Sequence, residues 1–421
     1  MKLKVQKPRG MKDIFGEEAK FYLFIRNLLA DFSLLHNFNY IETPLVENVK
    51  TFTASLGTTS DVIEKEMFYL KNKDSGDYFV LRPENTASIV RAYFENGMNS
   101  LPQPVSLFYL GTMYRRERPQ HGRLREHRQW GLEILNSEDP FADFYIIFTI
   151  MSFFKKVKIN GIKIKLNSLG CAKCSKKFRK NLLSYYRPLK NKICSDCQRR
   201  FKLNPLRLLD CKNEKDLVYK QNAPNILDFL CKFCKLHFQK VLELFEYFHI
   251  DYELDKTLVR GFDYYSRTVF EIFVEQFDFA IASGGRYDLG PVIGNISLPS
   301  VGGAVGLERL KIVLDNIDFK YKFEKPKIFV AFTGEEIRPK AFEIYLDLQA
   351  HGFNPLANFF KSSLASQLEF ANKNGLKYSL ILGFQELSRE SIILKEMEHG
   401  TQEVLKLKNL PLELKKIIKY K

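Results

Sequence analysis

Three groups of residues have the types and spacing to do chemistry. Arg115-Arg116-Glu117-Arg118 sets three arginines within four residues. Each guanidinium carries a fixed charge and a planar fork of N–H donors, which suits phosphate oxygens; the same cluster would also serve as a solvated basic loop. Gln129, Gly131 and Glu133 stand at alternate positions, so on a strand they share one face. If that face looks into the core, a carboxylate there needs a partner, and an amine or an imidazole N–H would provide one; on a half-exposed strand the pair simply faces water. Leu258-Val259-Arg260-Gly261-Phe262-Asp263-Tyr264-Tyr265 is the third group. Its two tyrosines and arginine suit a pocket for an aromatic, polar side chain, or a turn with packed tyrosines. The chain has no Walker loop, no GxGxxG after a strand and no GxSxG elbow. If it handles ATP, arginines must hold the phosphates.

The cysteines and the charge mark a separate module. All seven cysteines lie in one stretch: Cys171-x2-Cys174, Cys194-x2-Cys197, Cys211 and Cys231-x2-Cys234. Two such pairs at this separation form a zinc pattern, but three pairs are present, so the ligand set stays open, as does the alternative of buried or free thiols. The net charge is +16. Nineteen lysines and arginines against three acidic residues between Lys155 and Lys215 account for the whole excess, and the remaining residues are balanced. A lysine-rich composition alone would spread the charge. Its concentration points to nucleic acid, against the alternative of a solvated surface. The longest apolar run, residues 144–154, is too short for a membrane span, and no apolar core follows the basic N-terminus. We therefore expect no membrane association, a reducing cytoplasm and no disulfides.

These residues need elements to position them. The 421-residue length suggests two or three domains. Residues 17–36 carry apolar positions at helical period. Residues 40–46 are β-prone but broken by Pro44, and residues 78–82 read as a strand, with Pro83 opening a helix that runs to residue 93. Residues 105–114 and 128–135 read as an antiparallel pair joined by the charged loop. Residues 268–274 and 279–283 read as two more strands, ending in a turn at Gly284-Gly285; residues 302–314 begin with glycines and become helical. From about residue 325 the rhythm turns to βαβαβ, a small separate α/β domain. There is no internal repeat and no low-complexity tract.

The motifs resemble those of the histidyl-tRNA synthetase family, within the class II synthetases. Leu81-Arg82-Pro83-Glu84-Asn85-Thr86-Ala87 is similar to a family signature, and residues 114–133, with Arg118-Pro119-Gln120, resemble class II motif 2. Residues 259–265 resemble the second histidine-family signature. Ser283-Gly284-Gly285-Arg286-Tyr287-Asp288 and Gly306-Leu307-Glu308-Arg309-Leu310 resemble the tail of the catalytic domain and motif 3. Residues 40–47 resemble motif 1, and the likeness begins at Pro8-Arg9-Gly10-Met11. The resemblance implies an α+β fold: a class II antiparallel-sheet catalytic domain, a cysteine-rich insertion and a C-terminal α/β anticodon-binding domain. The expected bounds are 1–155 and 251–324 for the catalytic domain, 156–250 for the insertion and 325–421 for the last domain.

The same resemblance implies roles. The activity would be ligation of histidine to its tRNA through an adenylate made from ATP, with Mg2+ bridging the phosphates. Arg115 and Arg260 would act at the α-phosphate and Arg309 at the γ-phosphate. Glu84, Thr86 and Gln129 would take the α-amino end of histidine; Glu133 and Tyr265, with Tyr287 nearby, would read the imidazole. Arg118 and Gln120 would face the acceptor end of the tRNA, and Pro44 would lie at a homodimer interface. The chain departs from the family pattern at Asn85, where glycine is usual, at His127, where a phenylalanine stacks on adenine, and at Leu289-Gly290, where the order is reversed. A regulatory subunit of ATP phosphoribosyltransferase, related to this family, typically lacks the arginine-glycine-x-x-tyrosine-tyrosine signature and the C-terminal domain. A plain RNA-binding protein would not explain Glu84, Gln129 and Glu133 beside arginines.

Overall fold

Strands from segments far apart in the chain meet in one eight-stranded sheet, as seen in a computed structural model that describes residues 5–55, 63, 66–71, 78–119, 122–321, 326–360 and 363–418. The strands of this first unit, Met1–Tyr321, are β1 (Asn39–Tyr40), β2 (Val46–Asn48), β3 (Phe68–Lys71), β4 (Tyr78–Leu81), β5 (Val105–Tyr114), β6 (Glu126–Leu135), β7 (Ile162–Ser168), β8 (Glu253–Leu254), β9 (Tyr265–Val274), β10 (Ala280–Asp288) and β11 (Pro299–Gly306). The large sheet runs β1-β5-β6-β11-β10-β9-β7-β8. Its interior pairings are antiparallel, and only the short edge strands β1 and β8 pair in parallel. A smaller sheet, β2-β4-β3, stands apart.

Alternation along β6 decides what the sheet offers on each side. Trp130, Leu132 and Ile134 enter the main core with Ile25, Leu29 and Phe32 of the helix Gly16–Leu35 and with Phe153 of the helix Pro140–Lys156. Even the indole N–H is satisfied, donating to Ser33 Oγ at 2.9 Å. Gln129, Gly131 and Glu133 are thereby turned to the other face. Arg286 of β10, 2% exposed, pairs with the buried Asp143 and donates to the Asp139 carbonyl at 2.8 Å, fastening the start of the helix Pro140–Lys156 to the sheet. A pair this deep is costly to break, about 3–5 kcal/mol when one partner is removed.

Two local readings need correction. Gly284-Gly285 is no turn: both lie inside β10, paired to β9 and β11. A Cβ on Gly284 would come within 2.1 Å of the Gly302 carbonyl oxygen, so the glycines permit close packing. Residues 302–314 do begin with glycines and become helical: Gly302 and Gly303 belong to β11, and the helix starts at Leu307 (Leu307–Asn316). The helix after Pro83 starts later than expected, at Thr86 (Thr86–Glu95).

Between β7 and the helix Lys232–Tyr247, residues 169–229 pack around a small core, with Phe178, Leu182, Tyr186 and Leu208 buried, which Leu258, Val259 and Val269 also enter. β7 itself is part of the large sheet, and Phe238, Val241 and Phe245 of the helix Lys232–Tyr247 join the main core.

The second unit, Lys322–Lys421, contains β12 (Ile328–Phe332), β13 (Pro355–Ala357), β14 (Tyr378–Leu382), β15 (Ser391–Glu396) and β16 (Gln402–Lys406) in the order β13-β12-β14-β15-β16. The first three are parallel, joined through the helices Arg338–Ala350 and Leu364–Lys373 as the βαβαβ rhythm requires, and a final antiparallel pair extends the sheet.

Candidate functional site

Glu133 lines a cleft of about 1120 Å³ on the polar face of the large sheet. The carboxylate is 2% exposed and accepts from Thr86 Oγ1 at 2.8 Å and from Tyr287 OH at 2.6 Å. Its room comes from the neighbouring strand. Gly302 of β11 lies directly opposite, and a Cβ there would sit 1.8 Å from Glu133 Oε2. Gly131 gives the same relief to the Tyr109 ring, which a Cβ would approach to 2.2 Å. Tyr109 OH reaches Gln129 Oε1 at 3.5 Å. Burial pushes the Glu133 carboxyl up to about 8; the Tyr287 and Thr86 hydroxyls pull it down, and nearby Glu84 adds a like charge that raises it.

Glu84 caps the helix that carries Thr86. Its oxygens accept the Thr86 amide at 2.7 Å and the Ala87 amide at 3.0 Å. Burial raises its pKa, and those amides and Arg115 oppose the rise. Each carboxylate oxygen retains a second lone pair for a ligand. Arg82 of the same signature is a structural anchor, 3% exposed, donating to the Thr43 carbonyl at 2.7 Å and the Thr112 carbonyl at 3.0 Å. Asn85, where the pattern has glycine, accepts from Thr43 Oγ1 at 2.7 Å.

Arginines occupy the rest of the cleft, each held by a partner. Arg260 donates to Glu271 Oε1 at 2.6 Å and to Ser283 Oγ at 2.8 Å, and lies 5.4 Å from the Tyr265 ring centroid. Its buried Nε has no hydrogen-bond partner among the described residues. Arg115 donates to the Pro83 carbonyl at 2.8 Å and lies over Phe262 at 5.3 Å. Arg309, in the first turn of the helix Leu307–Asn316, donates to the Ala280 carbonyl at 2.7 Å and lies over Phe279 at 5.2 Å. Burial lowers the His127 pKa to about 3, with help from the Arg115 and Arg309 charges, so its imidazole is neutral at physiological pH. A neutral ring among arginines can stack on a base. Three guanidinium groups in one cleft can hold a polyphosphate, and the Glu133 end can hold a small donor-bearing side chain.

The structure thus gathers Arg115, Arg260, Arg309, Glu84, Thr86, Gln129, Glu133, Tyr265, Tyr287 and His127 around one cavity. Arg118 is exposed and outside that lining; Gln120 lies outside the described residues; Pro44 is exposed and also away from the cavity. The N-terminal Pro8-Arg9-Gly10 segment braces the loop instead: the Gly10 carbonyl accepts the Arg125 amide at 2.8 Å, and a Cβ on Gly10 would touch the Arg125 side chain. The sequence reading missed Gly302, and it missed Glu271 and Ser283, which hold Arg260. It also missed Glu308, whose carboxylate accepts the Arg128 amide at 3.0 Å on the cleft wall. Only Glu308 left a signal, a carboxylate in the first turn of a helix beside Arg309.

The insertion closes one side of the cleft with Arg200, Arg207 and Lys212. Lys176, Lys177 and Lys180 are exposed on the helix Ala172–Tyr186. The seven cysteines fall into two groups: Cys171, Cys174, Cys231 and Cys234, and Cys194, Cys197, Cys211 with Asp216. Among the described residues, no helix is long and apolar enough to cross a membrane.

Comparison with known proteins agrees along the chain. The family described as Histidyl-tRNA synthetase matches residues 10–174 and 208–310, and the one described as Anticodon binding domain matches 327–417. The histidine–tRNA ligase of Acetivibrio thermocellus is 39% identical over 416 residues, covering 97% of this chain and 99% of that protein. That of Thermosipho melanesiensis is 39% identical, covering 94% and 95%. The apo histidyl-tRNA synthetase of S. aureus superposes with a TM-score of 0.80 at 28% identity, covering 98% of this chain and 100% of that one. A Bacillus halodurans protein described as an ATP phosphoribosyltransferase regulatory subunit/histidyl-tRNA synthetase shares the fold, with a TM-score of 0.65 at 19% identity.

Proposed function

Since the chain belongs to the histidyl-tRNA synthetase family, we propose that its cleft joins histidine to ATP at one end and passes the product to tRNA at the other. The chain is a histidine–tRNA ligase of class II architecture. The histidine carboxylate attacks the α-phosphorus of ATP, pyrophosphate leaves, and a terminal hydroxyl of the tRNA then displaces AMP from the aminoacyl carbon.

The single observation carrying the residue assignment is Glu133: a buried carboxylate held by Thr86 and Tyr287 in the same cleft as Arg115, Arg260 and Arg309. Glu133 accepts the imidazole N–H, with Tyr265 and Tyr287 enclosing the ring. Glu84, Thr86 and Gln129 take the ammonium end. Arg115 and Arg260 stabilise the charge that builds on the α-phosphate, and Arg309 holds the γ-phosphate of ATP, which enters as its Mg2+ complex. The prepaid geometry matters here, because the partners of Arg260 hold it before substrate arrives. His127 stacks on the adenine, and Arg118 and Gln120 meet the acceptor end. Residues 1–168 and 230–321 form the catalytic domain, 169–229 the insertion over the acceptor arm, and 322–421 the anticodon-binding domain; the insertion is narrower than the expected 156–250 because β7 and the helix Lys232–Tyr247 belong to the large sheet and the main core. We place the enzyme in the cytoplasm as a homodimer that pairs through the segment around Pro44, whose neighbours Tyr40, Leu45 and Val46 are exposed. A monomer in sedimentation at micromolar concentration would refute the dimer.

Exchange of labelled pyrophosphate into ATP tests the central reading. Exchange should require histidine and no tRNA. Exchange without histidine, or none with it, would refute the assignment.

A further inference from the structure

We propose that the insertion binds two zinc ions, one on Cys171, Cys174, Cys231 and Cys234, the other on Cys194, Cys197, Cys211 and Asp216. Spacing alone leaves the pairing open, and the fold resolves it. The first and last Cys-x2-Cys pairs, far apart in sequence, meet at one point, and the middle pair meets Cys211 and a carboxylate that no cysteine pattern contains. Within each group all four ligand atoms lie within 4.8 Å of one another. Every cysteine of the chain is used.

The distances fit a shared cation. Zinc–thiolate bonds of about 2.3 Å in a tetrahedron set the sulfurs ~3.8 Å apart. Cys171 Sγ and Cys174 Sγ are 3.6 Å apart, and Cys194 Sγ and Cys211 Sγ 3.8 Å. Asp216 Oδ2 lies 3.2 Å from Cys211 Sγ. Disulfide sulfurs would be at about 2.05 Å. Backbone amides already point at the sulfurs: Cys231 N at Cys174 (3.1 Å), Cys197 N at Cys194 (3.4 Å) and Asn213 N at Cys211 (3.4 Å). Each Cys-x2-Cys pair also opens a helix, with its first cysteine immediately before Ala172–Tyr186, Ser195–Leu203 or Lys232–Tyr247, where the helix dipole favours thiolate. Packing alone does not explain the second group. Asp216 is 2% exposed; its oxygens accept the Cys194 amide at 3.1 and 3.2 Å and otherwise face sulfurs. A buried carboxylate beside thiols gains from a divalent cation that both can bind. Zinc displaces one proton from each thiol, four at the first site and three at the second, where the carboxylate binds ionised.

The second site is also part of the catalytic cleft, since Cys194, Ser195 and Asp196, with Cys211, Lys212 and Asn213, line it. Its metal would fix Arg200, Arg207 and Lys212 at the cleft wall. This last consequence rests on the proposed function; the metal assignment does not.

Elemental analysis of the full-length chain, purified without chelators, should find two zinc ions per chain. Zero or one, or iron in place of zinc, would overturn the proposal. Cys231→Ala and Asp216→Ala should each leave one zinc, whereas Asp216→Cys should keep two because a thiolate replaces the carboxylate. Two zinc ions in either alanine variant would overturn that ligand set. Should an alanine variant fail to fold, cobalt loading of the parent and of Asp216→Cys decides the matter. Thiolate-to-cobalt absorption should rise in the variant, and an unchanged spectrum would remove Asp216 from the site. All these readouts are independent of histidine-dependent pyrophosphate exchange, so a failed metal count and a failed enzyme assignment are distinguishable.

Discussion

The proposed histidine end of the cleft and the basic surface proposed to meet tRNA are built in opposite ways. At the histidine end, Glu133, Thr86 and Tyr287 sit on a strand, a helix and another strand, all buried and hydrogen-bonded to one another. The charges proposed to meet tRNA lie on an exposed loop, as Arg118 does, or on the surface of the insertion, as Lys176, Lys177 and Lys180 do. A small ligand is told from its competitors by groups that cannot move and would be left unpaired by the wrong molecule. A polyanion is held by many solvated charges, none of which needs a fixed position. Damage at the first end should therefore stop adenylate formation, and damage at the second should spare it.

Arg260→Ala should give the largest effect. In the proposed mechanism its charge meets the negative charge that builds at the α-phosphate, so kcat for pyrophosphate exchange should fall on the order of 10²–10³-fold with histidine KM little changed. A change confined to histidine KM would refute the placement. Gly302→Ala comes next. The added carbon meets Glu133 at 1.8 Å, so the carboxylate must move. Displacement of this size should cost about 10²-fold in kcat/KM for histidine. If exchange is normal while tRNA charging alone falters, the contrast between the two ends fails.

Replacing Lys176, Lys177 and Lys180 with Ala should raise the KM for tRNA roughly tenfold near physiological salt and flatten its salt dependence. Pyrophosphate exchange should match the parent. Collapse of exchange would show that the insertion supports the active-site fold, and unchanged tRNA binding at every salt concentration would reduce these lysines to a solvated surface.

The smallest expected effect is on stability. Glu133 titrates near 8 in the folded chain, above the ordinary value of 4.5, so between those pH values the folded state holds a proton that the unfolded state has lost. Its contribution is fully present below 4.5 and is lost as pH rises through 8. Without substrate, the Tm of the parent should fall by several degrees relative to Glu133→Gln as pH is raised across that window. Parallel Tm profiles for the two proteins would mean that Glu133 is ionised throughout.

The buried end was also the more legible in sequence. Alternation along residues 129–133 declared a shared face for Gln129, Gly131 and Glu133, while what that face meets stayed open until the neighbouring strand was known. The strands at 105–114 and the βαβαβ rhythm of the last unit were readable for the same reason. Glycine was misread at 284 and 285, since a turn and a crowded strand both call for a residue without a Cβ, and only the neighbouring strand distinguishes them. Gly302 was missed as a site residue because its function is an absence, filled by a side chain from another segment. The cysteine pairing and Asp216 were hidden likewise: local spacing lists the ligands of a metal, but the fold alone says which of them meet.

The facing pair of Glu133 and Gly302 also bears on how this pocket can change over generations. A first mutation at position 302 adds atoms where the carboxylate stands. A first mutation at 133 leaves the hydroxyls of Thr86 and Tyr287 without their acceptor in a buried space. Either single step therefore disturbs a buried contact on which the other position depends. The rim has no such dependence, and its lysines can be gained or lost one at a time. On the proposed roles, the choice of amino acid is thus buffered against drift, while the grip on tRNA remains free to follow changes in its partner.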